Sequence, residues 1–221
     1  GNILINRAQA NLDLAIVPSQ AAKKDDLLQE ARALFSEAEK VCTDAEATFD
    51  ARYKAFPKFI DPTDKEQTAA KDQVRLDLIQ TRLLAAMSVY EHSKAYDAKA
   101  TERKQLLEKA VGKFSKVYDT YRKLLAGLYA HMYEGRCHQD MGDTKKALSV
   151  YGELLLQPDD PQEFRELKAS VMMLAMQCWN DESQKKYDES ITRGEDWVSK
   201  VRGNEDRTPE GLTIRWLLVQ A

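Results

Sequence analysis

Apolar positions recur at helical spacing along nearly the whole chain, and prolines, glycines and capping residues cut them into segments. A first helical stretch, 3–17, ends before Pro18, because a proline disfavours helix in the residue preceding it. A long pattern over 25–56 stops at Pro57. At 1.5 Å per residue it would run about 50 Å. The turn Phe59-Ile60-Asp61-Pro62 then leads into Thr63-Asp64-Lys65-Glu66, read as a capping box that starts a second long helix reaching Tyr96. Long helices joined by a short turn lie antiparallel, so an elongated helical hairpin is expected. Shorter helices are predicted at 102–125, 128–140, 144–156, 161–180, 184–202 and 209–221, with turns at Gly127 and at Met141-Gly142-Asp143. Asp160-Pro161-Gln162-Glu163 and Thr208-Pro209-Glu210 both read as helix starts. No segment alternates with the two-residue period of a strand, so the chain reads as all-α.

Composition agrees. Ala, Leu, Lys, Arg and Glu supply 100 of the 221 residues, whereas Val plus Ile total 18 and Gly plus Pro 15, which argues against a sandwich, a barrel or a disordered chain. The formal net charge is −3, so no strongly charged partner is implied by the total. No window reaches 18 consecutive apolar residues, so no membrane span is expected. Cys42, Cys137 and Cys178 are odd in number and far apart, which reads as three buried thiols and mildly favours a reducing, cytoplasmic compartment. The compartment itself is not fixed by the sequence. The start at Gly1 without a methionine, and the stop inside an apolar pattern at Arg215–Ala221, read as a fragment of a longer protein.

Internal similarity changes the picture most. Ala31-x-x-x-Phe35-x-x-Ala38 reappears as Ala110-x-x-x-Phe114-x-x-Val117, and more weakly as Ala147-x-x-x-Tyr151-x-x-Leu154. On a helix these offsets share one face. The small residue lets a neighbouring helix approach, and the aromatic fills the space beside it. These copies resemble the tetratricopeptide repeat family of 34-residue helix-turn-helix units. The best match is 128–161, where Gly135, Gly142-Asp143, Tyr151 and Pro158 fall at the helix-A glycine, the turn, the helix-B aromatic and the closing proline. Departures are His131, Glu134 and His138 in place of the helix-A Trp, Leu and Tyr, and copy spacings of 79, 37 and 43 residues, the last to a poor match at Ser190.

The resemblance implies a right-handed α-α superhelix of antiparallel helix pairs, with degenerate repeats in a long hairpin region over 1–100 and tetratricopeptide-like repeats over 101–221, continuous as one solenoid. It also implies a non-enzymatic scaffold or adaptor that holds a protein or peptide segment in a groove lined by helix A. On the matching repeat that groove selects Tyr129, Met132, Arg136, Gln139 and Asp140, and on the following helix Met172 and Trp179. The lysine and asparagine with which one subfamily clamps a C-terminal carboxylate are replaced by Met132 and Arg136, so that clamp is not expected.

Other candidate chemistry reads as structural. His131 and His138 are seven residues apart beside Cys137, which is packing spacing rather than metal-ligand spacing, and His92 has no companion. Gly-rich phosphate loops, nucleophile elbows and Cys-x-x-Cys pairs are absent from the sequence, so no cofactor or metal is expected. Between Lys99 and Lys123 eight basic residues face three acidic ones. No aromatics interleave this stripe, so it reads as a solvated flank and no nucleic-acid partner is expected. The methionine-rich run Val171–Trp179 reads as core with one groove-facing side. The rival reading is a helical accessory domain of a larger enzyme or envelope-assembly protein. The sequence leaves oligomeric state open.

Overall fold

A computed structural model describes residues 1–221 and contains nine α-helices, two short 3-10 turns and no strand. The chain divides into two compact units, Gly1–Tyr121 and Arg122–Ala221.

The first unit comprises α1 (Asn2–Ala15), a 3-10 turn (Pro18–Lys23), α2 (Lys24–Ala55), α3 (Lys65–Ser93) and α4 (Thr101–Tyr121). α2 packs on both α1 and α3, and α4 packs on α3, which is why α4 belongs to this unit. Ile5 and Ala8 of α1 meet Ala31, Leu34, Phe35 and Ala38 of α2 in one cluster. Ala110, Phe114 and Val117 are likewise buried on α4. The Ala-x-x-x-aromatic skeleton thus marks helix faces that approach a neighbour closely, and full burial of an aromatic such as Phe35 contributes roughly 1.5–3 kcal/mol.

Burial ends well before the α2–α3 hairpin does. From residue 43 to residue 73 no residue is buried, so this stretch is a two-helix arm. Lys71 Nζ donates to the Pro57 carbonyl at 3.0 Å and lies 5.8 Å from the Tyr53 ring centroid. Arg82 joins Glu46 (2.9 Å), Asp50 (3.1 Å) and the Tyr121 hydroxyl (2.8 Å) at the arm's base. The start of α3 differs from the expected capping box. Asp61 accepts from both the Thr63 N–H and its hydroxyl, so Asp64 caps the helix instead, accepting from the Gln67 N–H at 2.9 Å.

The second unit comprises α5 (Leu125–Asp140), α6 (Thr144–Leu155), α7 (Gln162–Asn180), α8 (Tyr187–Ser199), a 3-10 turn (Glu205–Arg207) and α9 (Pro209–Gln220). α5 packs on α6 and α7, and α7 packs on α8 and α9. Sequence neighbours therefore meet throughout the unit, and next-but-one contacts join α5 to α7 and α7 to α9. Gly142 has φ +79°, the left-handed conformation a tight turn needs, and Asp143 caps α6 by accepting from the Lys146 N–H at 3.2 Å. Gly127, expected in a turn, lies buried inside α5. Asp160 does not cap α7, whose cap position is Pro161, without a side-chain bond. Thr208 does cap α9, accepting from the Gly211 N–H at 3.1 Å.

Close approach explains two glycines. A Cβ on Gly135 would sit 2.6 Å from the Tyr151 ring, and one on Gly194 would sit 2.6 Å from Leu218 and 2.8 Å from Met176. At Gly194, where the skeleton calls for an aromatic four residues after Ser190, Leu218 of α9 fills the space from outside. All three cysteines are free and buried. Burial raises the Cys178 thiol to about 12 and pushes Cys137 up further. No helix is long and apolar enough to cross a membrane.

Candidate functional site

A cavity of about 580 Å³ lies in the second unit where the first turns of α7 and α9 approach α5. Tyr129 contributes from α5, Glu166 and Ser170 from α7, and Glu210 from α9. Arg165 forms its floor. This guanidinium bonds Glu205 through two nitrogens, the Lys200 carbonyl, and Asp159 at 3.3 Å. The 200–205 segment is thereby fixed against α7. The Arg165 hydrogen bond holds the Glu205 carboxyl below the usual range, and Lys168, 2.6 Å away, does the same for Asp159. Ser170 Oγ reaches Glu210 at 3.4 Å. Burial raises the Tyr129 phenol, and the carboxylates of Glu166 and Glu210 raise it further. Glu166 and Glu210 thus bring negative charge to the lining that Tyr129 shares.

The expected groove residues are distributed unevenly. Tyr129 lines the cavity. Arg136 and Asp140 are half-buried and already interact with other groups. Gln139 accepts from the Tyr151 hydroxyl at 2.8 Å and reaches Gln177 of α7 at 3.5 Å, so it ties α5, α6 and α7 together. Met132 is buried. Met172 is buried with Met176, Ile214 and Leu217, and Trp179 packs against that cluster. These two residues therefore sit on the core side of α7. The face of α7 that borders α5 and the cavity carries Glu166, Ser170 and Gln177 instead, because the apolar residues are the ones drawn into the contact with α9.

Arg165, Glu166, Glu205 and Glu210 were not singled out from the sequence. Arg165 and Glu205 are 40 positions apart, and nothing local marks them as partners. Glu166 and Ser170, four apart, do share a polar helical face, and that is the one signal a reading of the sequence can use.

The other candidates resolve as packing or surface. His131 Nδ1 lies 3.0 Å from Glu134, and its Nε2 lies 3.4 Å from Glu153. His92 is buried between Phe35 and Tyr96, with ring centroids 5.7 Å away on each side and no hydrogen bond to either nitrogen. No group of three His, Cys, Asp or Glu side chains is placed to hold a metal ion. In the basic stripe, Lys109 pairs with Glu39 at 2.5 Å, while Lys113 and Lys116 border a cavity of about 330 Å³ beside Arg82 and Glu46.

The chain is all-α, with its contacts concentrated between helices that are neighbours in sequence. Comparison with protein families, with curated proteins and with solved structures finds no match to this chain.

Proposed function

We propose that the protein is a non-catalytic binding module of the tetratricopeptide type, which holds an extended segment of a partner protein along α5, α7 and α9. The observation that carries this reading is the 580 Å³ cavity bordered by these three alternate helices, with Tyr129 in its wall. Its volume and mixed apolar and polar lining suit a few side chains of a bound chain. The buried skeleton at Ala147, Tyr151 and Leu154, and the close approach at Gly135, support the family resemblance on α5 and α6. The test is a photo-crosslinking amino acid placed at Ser170 on the groove and, separately, at Ser149 on the exposed side of α6. One discrete protein adduct from position 170 alone is expected. Equal adducts from both positions, or none from 170, would sink the proposal.

A second reading, a helical domain that docks permanently on other structure, is favoured by one observation. Leu212, Trp216 and Val219 are exposed on one face of α9 by 57, 61 and 80%. At spacings of four and three they form a continuous apolar stripe. Sedimentation decides: concentration-dependent association abolished by Trp216→Lys supports it, and a strictly monomeric protein speaks against it.

A further inference from the structure

We propose that the cavity at the start of α7 and α9 receives a basic side chain, lysine or arginine, from the bound segment. This rests on the groove reading and adds the chemistry of the residue it takes. Two cations line the cavity, Arg165 and Arg202. Arg165 is saturated by Glu205, Asp159 and the Lys200 carbonyl. Arg202 is exposed on the rim, where its backbone N–H donates to Glu205 at 2.8 Å. Glu166 and Glu210 have no cationic partner, and Glu210 has only the long 3.4 Å contact with the Ser170 hydroxyl. Glu166 is exposed and Glu210 half-buried on the cavity lining, and a cation held between them would gain charge-assisted hydrogen bonds.

The rest of the wall suits the stem of such a residue. Ala169, Pro209 and Trp197 offer apolar surface along which the methylenes of lysine or arginine can lie. The Tyr129 ring can face the charged head, the geometry in which a cation is attracted to an aromatic face. An anion is disfavoured even though two helices begin here. The Gly211 N–H of α9 is already satisfied by Thr208, and the backbone of Glu205 and Asp206 closes against Gly211 so tightly that a Cβ would not fit. No room remains for an anion at that terminus.

The experiment uses the full chain, ¹⁵N-labelled, titrated with four Ser/Ala/Gly nonapeptides that differ only in a central Lys, Arg, Glu or Leu. Saturable shifts of the Trp197 indole and of the Gly203 and Gly211 amides are expected for the Lys and Arg peptides. Binding at least tenfold weaker is expected for the Glu peptide, and for the Lys peptide against Glu166→Gln/Glu210→Gln. Glu182→Gln, on the exposed α7–α8 connection, should bind like the parent. Equal binding of the Glu peptide, or unchanged affinity in the double variant, overturns the proposal. If the Leu peptide alone moves these resonances, the groove stands and its preference for a base falls. If no peptide moves them, the groove reading falls as well.

Discussion

Replacing Gly135 by alanine tests whether close helix approach organises the second unit. The added Cβ would sit 2.6 Å from Tyr151 Cε1 and 3.0 Å from both Tyr151 Cδ1 and Val150 Cγ1. Carbon atoms prefer roughly 3.5–4.0 Å, so about 1 Å of movement must be found. Tyr151 cannot supply it cheaply. It is fully buried, and its hydroxyl is tied to Gln139 at 2.8 Å. Overpacking of this kind costs about 1–3 kcal/mol. Alanine returns up to about 1 kcal/mol as a better helix former than glycine. Gly135→Ala should therefore lower stability by about 1 kcal/mol. Gly152→Ala is the control: it lies on α6 with nothing within 4 Å of a Cβ, so only the helix-propensity gain applies. The two variants should differ by about 2 kcal/mol, close to 1 M in urea midpoint for a typical small-domain slope. Tryptophan fluorescence reports this unit selectively, because Trp179, Trp197 and Trp216 all lie within Arg122–Ala221. In a double-mutant cycle, Tyr151→Leu should remove most of the Gly135→Ala penalty. A Gly135→Ala midpoint raised as much as that of Gly152→Ala would refute the packing argument.

Three further outcomes follow from individual side chains. Desolvation, aided by Lys109 and Arg32 and opposed by Glu39, holds the His92 imidazole below its ordinary 6.5. A folded pKa below the unfolded one means that the unfolded chain binds the proton first. The stability contribution is then complete above about 6.5 and is lost as pH falls toward the folded value. Circular dichroism of urea unfolding at pH 7.5 and 5.5 should show a loss in the parent that His92→Leu reduces; equal losses would contradict the assignment. Arg165→Met removes a buried guanidinium from the half-buried Glu205 carboxylate and should destabilise the second unit by about 3 kcal/mol, read by the same fluorescence assay. A change under 1 kcal/mol would mean water replaces the guanidinium. Trp216→Lys, on an exposed face, should leave the unfolding midpoint within about 0.5 kcal/mol of the parent.

Helix boundaries were legible at some single residues and not at others, since Gly127 lies inside α5. Pro57 and the Gly142-Asp143 turn stop or start helices within a residue or two of expectation. Where two capping residues are adjacent, the choice was decided by a neighbour: Asp61 engages Thr63 and leaves Asp64 to cap α3. The Ala-x-x-x-aromatic copies marked close-packed faces correctly, since Ala31, Phe35, Ala110, Phe114, Ala147 and Tyr151 are all fully buried. Of the residues expected to line a groove, Tyr129 on α5 borders the cavity, whereas Met172 and Trp179 on α7 pack with the core cluster. Either could serve core or groove from its chemistry alone, and the competition is settled by Ile214 and Leu217 of α9, some 40 residues on. The Arg165–Glu205 pairing and the Glu166–Glu210 juxtaposition arise from the return of the chain over α8. Neither partner carries a local mark of the other.

The unburied stretch from 43 to 73 has a consequence for how the first unit opens. Below it, α2 and α3 are held by α1 and α4, and at its base Glu46 still borders the cavity lined by α4. Isolated helical segments of this length are marginal in water, and a two-helix contact adds little burial. Hydrogen exchange should therefore run as a gradient down the hairpin, fast at Lys54–Lys71 and slow at Leu78–Tyr90. Limited trypsin digestion should first cut at Lys54, Lys58, Lys65 or Lys71, leaving a nicked chain whose remaining helices stay folded. The arm then behaves as a separate unit of cooperativity within a continuous pair of helices.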